Sequence, residues 1–240
     1  MRKDDKQRLV QWYGSPQGQV FASNLQGKLN PWLQSVFGYH AIQLGPLPVR
    51  DILLDSLRIN HRVLADNSAQ ADLQCDPESL PIASDSVDIL ILAHTLEYVG
   101  DPHLLLREAE RILVPEGRLL VVGIDSWTVW AGYQKLRQAP YRLYSQGRVK
   151  EWLTVLGFEV QHSELLSMIN PSFPAWLNRS PKMARLATLL AANFAGGYAL
   201  LAKKRVATLT PIEPRWKKPK LITGGLVEPA ARGMKRAPKD

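Results

Sequence analysis

Residues 76–122 read DPESLPIASDSVDILILAHTLEYVGDPHLLLREAERILVPEGRLLVV. Within them VDILILAH, from Val87 to His94, is apolar almost without interruption. That is the character of a strand covered on both faces, as a parallel sheet requires. Asp101 and Pro102 follow, a helix cap and a first-turn proline, and the helix DPHLLLREAERIL places Leu104, Leu105, Ala109, Ile112 and Leu113 on its apolar face. Pro115-Glu116-Gly117 reads as a turn into a second buried strand, RLLVVGI. Strand, helix and strand within about thirty residues make a βαβ unit with a right-handed crossover.

Working outward from this unit, the same alternation continues. On the N-terminal side, Leu25, Leu29, Leu33 and Val36 recur at helical spacing, so residues 1–40 are expected to form a helical cap. AIQLG is a strand that ends at Gly45 and runs into a loop stiffened by Pro46 and Pro48. VRDILLDSL reads as a short helix, HRVLAD as a second strand closed by Asp66, and ADLQCD as a short third strand. Only Asn67 to Gln70 separate the last two, too few for a crossover helix. On the C-terminal side GRVKEWLTVLGF is a helix stopped at Gly157, FEVQHSEL a strand, and NFAGGYALLAKK a last strand. Residues 126–144 mix aromatic and basic side chains without a clear period, and 166–192 form an insertion rich in Pro, Trp and Met.

At 240 residues the chain suits one core, placed at residues 1–205. The net charge of +8 is local. Of thirty Lys and Arg, eleven lie from Lys203 onward, and they face three of the chain's 22 acids. The remaining nineteen of each sign cancel over the first 202 residues. Residues 206–240 lack apolar periodicity and read as a basic, disordered tail, for which a weak, salt-sensitive nucleic-acid contact is the natural partner expectation. No apolar run approaches the length of a membrane span and the start has no apolar signal core, so a cytoplasmic protein without a membrane partner is expected. The single cysteine, Cys75, cannot build a disulfide framework or a cysteine-rich metal site, and is expected to be a small buried apolar group.

The 76–122 block closely resembles class I S-adenosylmethionine-dependent methyltransferases of the ubiquinone and biotin-pathway type. The shared signals occur in order: Asp76, Leu80-Pro81-Ile82, Asp85-Ser86-Val87-Asp88, Leu96-Glu97-Tyr98-Val99, Asp101-Pro102 and the run Arg111 to Gly117. WYGSPQGQVF and GYHAIQLG look like a bacterial branch of the same family, and with the late strand pair the likeness covers residues 12–205. It implies an α/β, Rossmann-like fold: a mostly parallel seven-stranded sheet with an antiparallel last strand and helices on both faces. It also implies S-adenosylmethionine as cofactor and methyl transfer to an unidentified small or macromolecular acceptor. One departure is plain. Most of the family has an acid and then a GxGxG turn at the first strand end, whereas this chain has Gln43-Leu44-Gly45-Pro46-Leu47-Pro48.

In an open parallel sheet a ligand sits outside the carboxyl ends of the strands. Those ends are Gly45, Asp66, Asp76 and His94, and they are the expected cofactor-binding residues, together with Leu80 in the turn after Asp76. Gly45 would allow close backbone approach, Asp66 would accept from the ribose, Asp76 and the turn to Leu80 would meet the adenine edge, and His94 lies where the family contacts the methionine end. No metal site is expected. No catalytic residue is named, because the sulfonium already activates the methyl group and alignment is the protein's main task. An acceptor pocket would be built from the N-terminal helix, 126–144 and 166–192. The alternative is a cofactor-impaired relative that uses the fold and its basic tail for RNA or protein contacts. A nicotinamide dehydrogenase would need a GxGxxG turn that the chain lacks.

Overall fold

A computed structural model describes residues 9–45, 50–125, 142–167 and 195–206. The elements are α1 (Pro16–Gln34), β1 (His40–Leu44), α2 (Arg50–Leu53), β2 (His61–Asp66), β3 (Leu73–Gln74), β4 (Val87–Ala93), α3 (Pro102–Ile112), β5 (Leu113–Ile124), α4 (Gln146–Val155), β6 (Phe158–Ser167) and β7 (Ala195–Lys204). The expected tail, most of the 126–144 segment and nearly all of the 166–192 insertion lie outside the described residues.

The seven strands form one sheet in the order β3-β2-β1-β4-β5-β7-β6. Pairs among β1 to β5 are parallel, and β7 runs antiparallel to both β5 and β6. This is the sheet the sequence led us to expect. Strand order reverses between β1 and β4, so their carboxyl ends open a crevice.

Alternation along the strands splits the core in two. Ala41, Ile89, Ile91, Val122 and Leu201 face α1 and α2, and meet Phe21, Leu25, Leu29 and Leu33 of α1. Ile42, Leu90, Leu92, Val121 and Leu200 face the other way, onto Leu105, Ala109 and Ile112 of α3 and Val149 and Leu153 of α4. α1 starts at Ser15, whose hydroxyl accepts from the Gly18 amide at 3.2 Å, with Pro16 at the first helical position.

The structure changes three local readings and bears out a fourth, the missing crossover helix between β2 and β3. In α3 the buried stripe is Pro102, Leu105, Leu106, Ala109 and Ile112, while Leu104 is 43% exposed. On a helical wheel Leu104 lies roughly 160° from Leu106, so both cannot face the sheet. Pro115-Glu116-Gly117 is not a turn between elements. β5 runs through it, and the register against β4 jumps from Val87↔Leu113 to Ile89↔Arg118, with Glu116 at φ +66°. β3 pairs only with the last two residues of β2, so the chain need not travel back along the sheet and no crossover helix is required. Asp72 in that link accepts the Leu64 amide at 2.8 Å. Finally, Cys75 is half-buried at a cleft, not sealed in the core, because it follows β3 directly and leaves the sheet with it.

Candidate functional site

A cleft of about 480 Å³ opens at the carboxyl ends of β2, β3 and β4. Asn67 enters it from the end of β2, Gln74, Cys75 and Asp76 from β3 and its exit, and Tyr98 and Gly100 from the loop after β4. Its two loop walls are clamped together by Glu78, whose Oε1 accepts the amides of Gly100 at 2.6 Å and Asp101 at 3.0 Å. Behind it, Arg111 donates to the carbonyls of Leu80 and Ile82, at 3.1 and 2.8 Å, and pairs with Glu108 at 2.8 Å. This pair holds the Glu108 carboxyl below its usual range, chiefly through the hydrogen bond from Arg111.

The five residues expected to bind cofactor separate into distinct places. Asp76 lines the cleft; its Oδ1 accepts the Glu78 amide at 3.0 Å, and Oδ2 has no partner among the described residues. Asp66 is buried at 3% exposure, immediately before the cleft residue Asn67. Gly45 caps β1 at φ +127°, a region that L side chains avoid, and an added Cβ would overlap the Ala93 carbonyl oxygen and lie 3.0 Å from its carbon. Leu80 is buried in the core beneath α3 and its amide donates to Glu108 at 3.2 Å. His94 is fully buried on the α1 side, sharing a 2.7 Å hydrogen bond with the hydroxyl of Tyr13.

His94 is the centre of a tightly tied turn. Its backbone sits at φ +55°, its amide donates to Val122 at 2.9 Å, and the Thr95 hydroxyl donates to the Leu44 carbonyl at 2.8 Å. Glu97 Oε1 accepts the Ile124 amide at 2.7 Å and lies 3.7 Å from His94 Nδ1. Among the described residues neither His94 Nδ1 nor Glu97 Oε2 has a hydrogen-bond partner. Burial, with the Glu97 charge nearby, pushes the Tyr13 phenol well above its usual pKa, so it stays protonated. Trp12 and Tyr13 pack on Phe21.

Gln43, which replaces the family's acid two residues before Gly45, is wholly buried between Leu64 of β2 and Ile91 of β4. Neither Oε1 nor Nε2 of its amide has a partner among the described residues. Asn67, Gln74, Cys75 and Tyr98 were not among the site residues expected from sequence. Their only signal is adjacency to Asp66, Asp76 and the Leu96–Val99 motif, since what joins them is the strand order.

Residues 54–121 match the family model described as a methyltransferase domain. By this match residues 54–121 belong to the methyltransferase-domain family. Among relatives of the domain, Uncharacterized protein YafS of Escherichia coli K12 is 35% identical over 160 residues, covering 63% of this chain and 66% of that protein. A Mycobacterium tuberculosis H37Rv protein is 28% identical over 169 residues, covering 62% of this chain and 56% of its own. The matches thus span about two thirds of one relative's length and little more than half of the other's. Among solved structures, a Thermotoga maritima SAM-dependent methyltransferase, possible histamine N-methyltransferase, superposes with TM-score 0.58 at 16% identity, covering 83% of this chain and 95% of that one. The Haloferax volcanii complex of the Trm112 methyltransferase activator and a putative methyltransferase gives a match of TM-score 0.57 at 18% identity, covering 82% and 98%. At such identities the likeness is one of fold. The [4+2]-cyclase SpnF shares it too, with TM-score 0.51 at 20% identity, covering 76% of this chain and 80% of that one. Among the described residues of the methyltransferase domain, no helix is long and apolar enough to cross a membrane, and no group of three or more His, Cys, Asp or Glu is placed to hold a metal ion.

Proposed function

We propose that the chain transfers a methyl group from S-adenosylmethionine to an acceptor bound beside the cofactor. The observation that carries the reading is the place of the cleft. It lies at the carboxyl ends of β2, β3 and β4, beside the point where strand order reverses, where this sheet architecture receives nucleosides. Its volume is within the 300–1,000 Å³ range typical of small-molecule sites.

The residues present fit an adenosyl group. Asp76 lines the cleft with one carboxylate oxygen that has no partner among the described residues, and Asp66 is a second, buried acid next to the lining residue Asn67. These are acceptors of the kind that ribose hydroxyls and the adenine amine require. Gly45 keeps the carboxyl ends of β1 and β4 in contact. The cofactor itself would bring an activated methyl group. The chain's residues would bind it, orient it and exclude water.

Calorimetric titration of the full chain with S-adenosylmethionine tests this. We expect one site per chain, weakened in Asp66→Asn and Asp76→Asn. A second reading, a cofactor-impaired binding protein, is favoured by the single glycine and by Gln43 in place of an acid. No heat at high micromolar cofactor would select it.

A further inference from the structure

We propose that a second cleft, on the α3 and α4 side of the sheet, is an oxyanion subsite that holds a carboxylate or phosphate group of the methyl acceptor. The acceptor role rests on the methyl-transfer reading above. The cleft has a volume of about 450 Å³ and shares Gly100 with the nucleoside cleft, so a ligand there sits beside the cofactor. Two guanidinium groups, Arg142 and Arg148, line it with Tyr144, Trp152 and His103.

Neither guanidinium forms an ion pair with a carboxylate among the described residues, in contrast to Arg111 with Glu108 or Arg205 with Glu116. Both are nevertheless held in place. The Arg142 amide donates to the Glu97 carbonyl at 3.1 Å and its Nη1 to the Gly100 carbonyl at 3.3 Å. Arg148 lies over the indole of Trp152, 5.5 Å from the ring centroid, and that indole is wedged between Tyr144 and His103. A planar donor fork fixed in advance loses little entropy when it grips an oxyanion.

α3 and α4 both begin at this cleft, and each N-terminus is already met by a carboxylate: Asp101 caps α3, accepting from His103 and Leu104, and Asp125 Oδ2 accepts the Gln146 amide at the start of α4 at 3.4 Å. The one acid in the lining, Asp101, is therefore committed, and the positive charge of the cavity comes from the two guanidinium groups.

The test is calorimetry on the full chain with two probes, inorganic pyrophosphate and benzoate. Wild type, Arg142→Gln, Arg148→Gln and the remote control Arg58→Gln are titrated. We expect saturable one-to-one binding of at least one probe. Each cleft variant should weaken it by about tenfold, the scale of a lost charge-assisted pair, while the control leaves it unchanged. Preference for pyrophosphate assigns the group as phosphate, and preference for benzoate as carboxylate. Absence of saturable binding overturns the proposal, as does wild-type affinity in both cleft variants, which would place the anion on the basic C-terminal residues. Titration with S-adenosylmethionine runs in parallel. Oxyanion binding without cofactor binding keeps the subsite and defeats the methyl-transfer reading; cofactor binding without oxyanion binding does the reverse.

Discussion

Replacing Gly45 by alanine should be among the most damaging single-methyl additions in this chain. The site holds φ at +127°, so an L side chain there costs about 1–3 kcal/mol of backbone strain before any contact is considered. The new Cβ would also fall on the Ala93 carbonyl oxygen, at a separation that real Cβ atoms do not show. Relief requires β1 and β4 to part at their tips, at the expense of one or two ladder hydrogen bonds worth about 0.5–1.5 kcal/mol each. Together these give a loss of about 1.5–6 kcal/mol, a large share of the roughly 5–15 kcal/mol that holds a typical domain. Gly27→Ala is the matched control. It adds the same methyl to an exposed position of α1 with nothing within 4 Å, and should gain about 0.5–1 kcal/mol from helix propensity. Equilibrium urea unfolding followed by tryptophan fluorescence measures both. A Gly45→Ala protein within 1 kcal/mol of wild type would refute the claimed β1–β4 contact.

Gln43→Leu should raise stability by about 1–3 kcal/mol, because it removes a buried amide with neither atom satisfied; a loss in urea unfolding would mean that the amide has a partner. Tyr13→Phe should cost about 1–3 kcal/mol in the same assay, since it strips the hydrogen bond from a fully buried imidazole, and an unchanged midpoint would deny that the bond anchors the N-terminal segment. Glu108 has a folded pKa below its unfolded one, so its contribution is present above the ordinary carboxylate range and is lost as pH falls through the lowered value. Glu108→Gln should therefore flatten the fall in urea midpoint below about pH 4.3, and an identical acid limb in both proteins would count against it.

The centre of the fold was legible because two physical signals coincide there. β4 is apolar enough to be recognised as a strand covered on both faces, and Asp101-Pro102 marks the start of α3 unambiguously. Local detail was less legible. Leu104, Leu105 and Leu106 are chemically alike, and only the angle of approach to the sheet decides which one faces out. Pro-Glu-Gly suggests a turn by composition, yet a bulge accommodates the same residues within a continuous strand. For the site, Asp76 could be found because it sits within a local motif. Asn67, Gln74 and Tyr98 could not, since parallel pairing brings them together from three separate strand ends. Arg142 and Arg148 reach their cleft only through the packing of α4 beside α3, which no local pattern encodes.

The central claim is that the cleft beside Asp76 receives the adenosyl group. Cys75 is the chain's one cysteine and lines that cleft, so it reports occupancy without any mutation. The rate of its alkylation by iodoacetamide should be steady in buffer and fall severalfold when S-adenosylmethionine or S-adenosylhomocysteine is added to saturation, with adenine alone giving partial protection. An alkylation rate that does not change at millimolar concentrations of either nucleoside would contradict the account.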